Sequence, residues 1–349
     1  MRVRIPPPVS GGIILSYKCS AECLHCMYAC TPLWNGGWMQ EKDLELLISE
    51  LAKTVEPAPG GPERISVNHG IHFTGGEPFT NFGLLCRAAE LSRGCGVPST
   101  FVETNCFWCS SDRVVREKLE LLKEKGLKGV LVSVNPFYLE FVPFEYTERA
   151  VRIAQELFGK NVIVYQGEYF RRFLRMGIRG KMGLEEYAAL EGPESLFGDA
   201  EFFLSGRAPY RLAGRLKGYL RGREPFPRFP AGRLYRERCL PVFLRNWHNH
   251  FDGEGNFIPG FCGGITLGDA RKLPTLLEEG LDLSERPVLE LLAADDFKGL
   301  MRFARDRGYE ELKEGYVSKC HLCVDIRRHL VQAGEFVELK PVEFYRHLV

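Results

Sequence analysis

Twelve cysteines in 349 residues, most of them in tight groups, constrain this chain more than any other feature. Cys19, Cys23 and Cys26 stand at C-x3-C-x2-C, and both Cys106/Cys109 and Cys320/Cys323 at C-x2-C; Cys239 and Cys262 lie between the latter two pairs. The N-terminus, Met1 to Pro8, holds two arginines and three prolines but no long apolar run, so no secretory signal is expected. A cytoplasmic location follows as the expectation, and there so many thiols do not form a disulfide scaffold. Metal or iron–sulfur ligation is the reading that remains.

The rest of the composition is ordinary: 45% hydrophobic and 26% charged residues suit a globular chain and exclude disordered and fibrous classes. No apolar run approaches the ~18 residues of a membrane span. A net charge of +1 implies no general affinity for nucleic acid or membrane, and neither is expected as a partner.

Strand-like and helix-like segments alternate. Strands are expected over Gly12–Tyr17, His69–Thr74, Thr100–Asn105, Gly129–Asn135, Asn161–Gln166 and Glu201–Arg207. Helices are expected over Met39–Val55, Leu84–Arg93, Arg113–Lys125, Tyr146–Phe158 and Pro209–Leu220. About six such units argue an α/β fold: a partial (β/α)6 TIM-like barrel built on a parallel sheet. Three regions are expected: residues 1–207 as the barrel, 208–236 as a basic helix and linker, and 237–349 as a small α+β module carrying the last four cysteines.

In a barrel of this kind the chemistry sits where strands hand over to loops at their C-terminal ends. The first cysteine group and Gly75-Gly76-Glu77-Pro78 both fall at such a handover. Three thiolates can hold three irons of a cubane cluster and leave the fourth iron open, which is a catalytic feature. A zinc knuckle, with His25 or Cys30 as fourth ligand, is the other reading of the triplet taken alone.

The order GIILSYKCSAECLHC, a helix, then a strand ending in GGEP resembles the radical S-adenosylmethionine (SAM) superfamily over roughly residues 10–207. That resemblance implies an open iron binding the amino and carboxylate groups of SAM. An electron from the cluster then breaks the sulfur–C5′ bond, and the 5′-deoxyadenosyl radical takes hydrogen from a substrate C–H bond. It also implies that Gly75, Gly76, Glu77 and Pro78 lie along the methionine moiety, with Glu77 or its neighbours answering the ammonium group. His25, before the third cysteine, stands where the family usually has an aromatic residue beside the adenine. Glu103-Thr104-Asn105-Cys106 replaces the family's Thr-Asn-Gly turn, so Glu103 and Asn105 are expected near the ribose, as are Ser133 and Asn135 at the end of the fourth strand. Tyr165, Gln166, Ser205 and Arg207 end the last two strands. Arg207 is the one suited to gripping a substrate carboxylate through two parallel hydrogen bonds.

Cys239, Cys262 after a Gly-containing hairpin, and the distant Cys320/Cys323 pair resemble the twitch module, the short form of the SPASM extension of radical SAM enzymes. The resemblance implies one auxiliary [4Fe–4S] cluster that relays an electron, in an oxidation or modification of a peptide or small molecule. A flavodoxin or ferredoxin would supply reducing electrons. The same four cysteines suit structural zinc equally by spacing. Cys30, Cys106 and Cys109 are candidates for a catalytic thiol, although packing beside aromatic neighbours is the favoured account of the last two, and Cys86 and Cys95 read as core. His248 and His250 are either extra ligands or, as favoured, solvent-exposed turn residues; His321 points away from its filled site.

Residues 207–238 hold ten Arg or Lys against Glu224 and Glu237. With Arg207, Arg211 and Arg215 at i, i+4, this invites a polyanionic ligand, against the simpler account of a solvated helix. About ten residues precede the first strand, so a fused leader-peptide domain is not expected. The competing class is a non-catalytic iron–sulfur electron carrier or a zinc-stabilised binding protein, which would need neither the GGEP turn nor an open iron.

Overall fold

The computed structural model describes residues 2–196, 205–220 and 226–349. Its main sheet starts from Ser10–Ser16 (β1), a seven-residue strand buried along its whole length because parallel neighbours flank it on both sides. On one side run Gly70–Gly75 (β2), Phe101–Thr104 (β3), Gly129–Ser133 (β4) and Val162–Tyr165 (β5), each parallel to the last. On the other side lies Asn249–Asp252 (β6), parallel to β1, which then pairs antiparallel with Phe257–Ile258 (β7). The order β5-β4-β3-β2-β1-β6-β7 makes a mixed α/β sheet with helical crossovers, the expected partial-barrel class.

The crossover helices follow their apolar periodicity. Glu41–Leu51 (α1) buries Leu44, Leu47, Ile48 and Leu51, spaced to share one face. Phe82–Gly94 (α2) is capped by the Asn81 side chain, which accepts from the Leu84 amide, and Asp112–Lys125 (α3) by Ser111. The latter ends on Gly126 at a φ of 113°, a left-handed conformation open to glycine. Phe144–Phe158 (α4) packs Ala150, Val151, Ile153 and Ala154 against the sheet. Gly167–Met176 (α5) has no counterpart among the expected helices; its buried Tyr169 and Phe173 stand at i, i+4, the signal that reading passed over.

Of the sixth strand expected over Glu201–Arg207, residues 201–204 lie outside the described residues, and Ser205–Arg207 form not a strand but a turn leading into helix Ala208–Leu216 (α6). Gly206 lies against the cysteine loop so closely that a β-carbon there would overlap the Cys26 carbonyl oxygen. The sixth parallel strand is β6, supplied by the segment that follows Cys239, so that segment shares the barrel sheet. The β6–β7 turn is built on Asp252, whose carboxylate accepts from the Glu254 and Asn256 amides and the Asn256 side chain. Tyr17, just beyond β1, donates its hydroxyl to the same carboxylate at 2.7 Å.

The basic stripe is neutralised locally. Arg211 pairs with Glu22 at 3.0 Å, Arg215 with Glu140 and Glu185 at 2.7 Å each, and Arg238 with Asp295 at 2.9 Å. The polyanion reading of Arg207, Arg211 and Arg215 gives way to ion pairing with acids from elsewhere in the chain. Among the described residues, no helix is long and apolar enough to cross a membrane.

The Tyr17–Asp252 bond ties the hairpin to β1 across a fully buried pair. Tyr17→Phe should lower unfolding free energy by about 1–2 kcal/mol, read from the midpoint of a denaturant titration. An unchanged midpoint would show that the pair does not secure the hairpin.

Candidate active site

Between the C-terminal ends of the strands and the cysteine loop lies a cavity of about 360 Å³, a size suited to a small molecule. Its walls include Cys19, Cys23 and Cys26, with His25, Gly75, Gly76, Glu103, Asn105 and Ser133, so four segments distant in sequence converge there. Cys23 is buried, Cys19 and Cys26 partly so.

The cysteine loop is held in three ways. First, the Gly75–Gly76 turn packs directly on it: Gly76 donates to Ser16 O at 2.8 Å and Glu77 to Lys18 O at 3.0 Å. Gly75 takes a φ of 121°, and a β-carbon on Gly76 would overlap the Lys18 carbonyl oxygen. Second, Asn105 reaches the loop, its side-chain amide 3.7 Å from Cys19 Sγ and 3.1 Å from Ser20 Oγ.

Third, Arg207 is buried completely beneath it. Its guanidinium donates to the carbonyls of Cys30 at 2.8 Å, Cys23 at 3.4 Å and His347 at 2.7 Å, and also to that of Ala29. Glu22 is its nearest carboxylate, at 3.8 Å. The expectation that Arg207 grips a substrate carboxylate is therefore corrected: its donors are committed to the loop backbone.

Glu77 also differs from its expected role. Its carboxylate is buried and accepts from the Phe79 amide at 3.2 Å, Thr104 Oγ1 at 3.0 Å and the Asn105 amide at 2.8 Å. Neither it nor Pro78, which opens a short 3-10 turn, is among the cavity-lining residues. Burial raises the Glu77 carboxyl to about 7 despite these donors. The carboxylate thus locks the GGEP turn to the end of β3, and the two glycines are what the turn presents to the cavity.

The electrostatics of the loop suit a positively charged multi-thiolate guest. Burial and the neighbouring thiols push Cys23 well above the ordinary thiol range, and burial with the Glu77 charge pushes Cys19 to about 12. Cys26 moves the other way, to about 6, because the Cys30 thiol donates to it and Arg207 stands near. Three thiolates packed together without a cation would repel; metal ligation removes that cost by deprotonating them together. The donor set fits an iron–sulfur cluster held by three cysteines.

His25 lies in the cavity wall against Phe137, ring centroids 4.8 Å apart, and burial keeps its imidazole neutral, with its pKa lowered to about 3. Asn135 is 3.3 Å from His25 Nε2 and accepts from the Phe137 and Tyr138 amides, so it orients this wall rather than facing a ligand freely. Glu103 accepts from Thr74 Oγ1 at 2.6 Å, and burial raises its carboxyl to about 7. Ser133 and Tyr165 line the cavity; Gln166 is buried, and Ser205 lies in the turn before α6.

Cys106 and Cys109 are buried free thiols, hydrogen-bonded to one another and absent from the cavity wall, as packing beside Trp108 would have it. Cys30 does line the cavity, with its thiol turned onto Cys26. Cys239, Cys262, Cys320 and Cys323 come within electrostatic reach of one another; burial first, and that mutual repulsion second, raises the first three thiols. Cys320 and Cys323 stand on the first turns of helix Lys319–Ala333, capped by Ser318.

The favoured account of His248 and His250 as exposed turn residues is corrected. His250 is buried on β6, His248 is half-buried before it, and both line the cavity. His72 on β2, which the sequence reading passed over, is buried beside them.

No known family's sequence model matches the chain. It is similar to the putative peptide biosynthesis protein YydG of Bacillus subtilis (strain 168), 26% identical over 131 residues, which are 38% of this chain and 37% of that protein. The match therefore spans little more than a third of the curated relative's length. Among solved structures, anSMEcpe with bound AdoMet overlaps 93% of this chain and 96% of its own at 13% identity and a TM-score of 0.46. Streptococcus suis SuiB bound to S-adenosylmethionine overlaps 90% and 77% at 14% identity and a TM-score of 0.43.

Gly76→Ala should lose iron: the added methyl displaces the Lys18–Cys19 backbone, and overpacking of this kind costs about 1–3 kcal/mol. Iron per chain after anaerobic reconstitution checks this, and wild-type iron content would refute it. Arg207→Ala strands several carbonyls at about 1–3 kcal/mol each and should lower both thermal stability and iron content, with Arg207→Lys intermediate. Full iron content in Arg207→Ala would show that the loop does not depend on that guanidinium. The three-cysteine loop is thus pressed against a Gly-Gly turn at the C-terminal ends of the parallel strands, the juxtaposition expected from the sequence.

Proposed function

We propose that this chain is a radical SAM enzyme, an oxidoreductase that modifies a peptide. The carrying observation is that Cys19, Cys23 and Cys26 share one cavity wall with Gly75 and Gly76. Those three cysteines would hold an iron–sulfur cluster, which would supply the electron for reductive cleavage of S-adenosylmethionine and so for hydrogen abstraction from the substrate.

The chain's own residues do the rest. Gly75 and Gly76 offer bare backbone along one wall, where an amino-acid moiety can lie close. His25, neutral and braced by Phe137, offers a flat ring for a nucleobase. Asn105 and Ser133 offer polar atoms on the opposite strands. The largely apolar remainder of the wall, Tyr138 and Leu131 among it, keeps water from a reactive intermediate.

The description of YydG as a peptide biosynthesis protein supports a peptide substrate. Cys239, Cys262, Cys320 and Cys323 would hold one auxiliary [4Fe–4S] cluster to relay an electron, and a flavodoxin or ferredoxin would be the external donor. A simple electron carrier has no use for a cavity of about 360 Å³ against its cluster loop.

Reconstituted protein incubated anaerobically with dithionite and S-adenosylmethionine should release 5′-deoxyadenosine, followed by mass spectrometry, and hold about eight irons per chain. Cys23→Ala should release none. No product from wild type shown to hold both clusters would overturn the proposal.

A further inference from the structure

Three imidazoles meet inside the barrel, on a side of the cavity formed by β1, β2 and β6. Gly12 of β1 pairs in register with His72 of β2 on one side and with His250 of β6 on the other. Both rings therefore hang over the one residue of that layer without a side chain. A β-carbon at Gly12 would stand 2.5 Å from His72 Nε2 and 2.8 Å from His250 Nε2. His248 closes the third side, its ring centroid 5.3 Å from that of His72 and 5.0 Å from that of His250. One ring nitrogen from each lies within 4.8 Å of the others, a convergence that no other histidine, cysteine or carboxylate trio among the described residues reaches.

The hydrogen bonds around the trio decide which ring nitrogens carry a free lone pair. His248 Nδ1 is 2.9 Å from Val67 O, and His250 Nδ1 is 3.1 Å from Gly260 O and 2.9 Å from the Tyr28 hydroxyl. A carbonyl oxygen can only accept, so in both rings the proton sits on Nδ1 and Nε2 is the free donor atom. A backbone carbonyl holding the far ring nitrogen is the outer support that metal-ligating histidines use.

His72 is 1% exposed, yet neither of its ring nitrogens has a hydrogen-bond partner. A buried polar group left in that state calls for a partner. Glu103 Oε1 stands 3.6 Å from His72 Nε2, and burial keeps all three imidazoles neutral, the form that binds metal.

We propose that His72, His248 and His250 form a site for a zinc-type divalent cation, separate from both cysteine groups, with its remaining coordination position open to the cavity. Tetrahedral zinc–nitrogen bonds of about 2.0–2.1 Å place ligand nitrogens about 3.3 Å apart, so modest inward turns of the three rings complete the site. His248 and His250 line the cavity, which gives an oxygen ligand, water or a substrate carbonyl, access to the fourth position. Glu103 supplies a carboxylate beside it to offset charge.

The test uses the full chain with clusters reconstituted anaerobically, given one equivalent of Zn²⁺ and desalted. Zinc content by mass spectrometry should be about one per chain, and zinc-edge X-ray absorption should show a nitrogen-dominated shell near 2.0–2.1 Å. Zinc scavenged by cysteines would instead show sulfur near 2.3 Å. His248→Gln, His72→Gln and Gly12→Ala should each lose most of the zinc while iron content stays at the wild-type level. A sulfur-dominated shell, zinc retained at wild-type levels in folded His248→Gln, or no zinc retained by wild type would overturn the proposal. Should His72→Gln or Gly12→Ala fail to fold, the wild-type absorption spectrum decides alone.

Discussion

Everything at the mouth of the barrel depends on one buried cation. Arg207 has no solvent exposure and no carboxylate within hydrogen-bond distance, so its charge is compensated by carbonyl dipoles from the very loop that carries the three cysteines. Burying a guanidinium this way is costly unless every donor is used. Here the bonds to Cys23, Ala29 and Cys30 also satisfy loop carbonyls that would otherwise be stranded, so the loop and the cation stabilise one another. A positive charge beneath thiolates additionally favours their ionised form: at Cys26 the Cys30 hydrogen bond lowers the thiol most, and Arg207 adds to it.

The same bond network joins distant parts of the chain. Arg207 reaches His347 near the C-terminus, Tyr17 reaches Asp252, and β1 is flanked by β2 and β6. The first strand is thus the common member of the cysteine loop, the GGEP turn and the histidine layer. Gly12 and Gly76 serve it in different ways. One leaves room between two imidazoles, the other lets two backbones touch. Neither tolerates a methyl group, though neither φ lies in the left-handed region that would demand glycine on conformational grounds.

Much of this was legible beforehand. The five strands from β1 to β5 and helices α1 to α4 followed from apolar periodicity, and their ends moved by a few residues, set by caps such as Asn81 and Ser111. The cavity-lining places of Cys19, Cys23 and Cys26 followed from their spacing at a strand end, and those of His25 and Gly76 from the family resemblance. Arg207 and Glu77 were misread for one reason: their partners lie far away in sequence. A guanidinium bound to backbone carbonyls leaves no pattern of matching acids. The basic stripe of α6 was open for the same reason, since Glu22, Glu140 and Glu185 come from three separate elements.

What the amino-acid sequence determined by itself is the ligand chemistry and the alternation of strand and helix, because cysteine spacing and apolar periodicity are local properties. The tertiary structure alone decided which residues face one another. It brought β6 beside β1 and so turned His72 and His250, nearly 180 residues apart, into neighbours over Gly12. Register between strands is a non-local property, fixed by packing of the whole sheet, and no short stretch of sequence carries it.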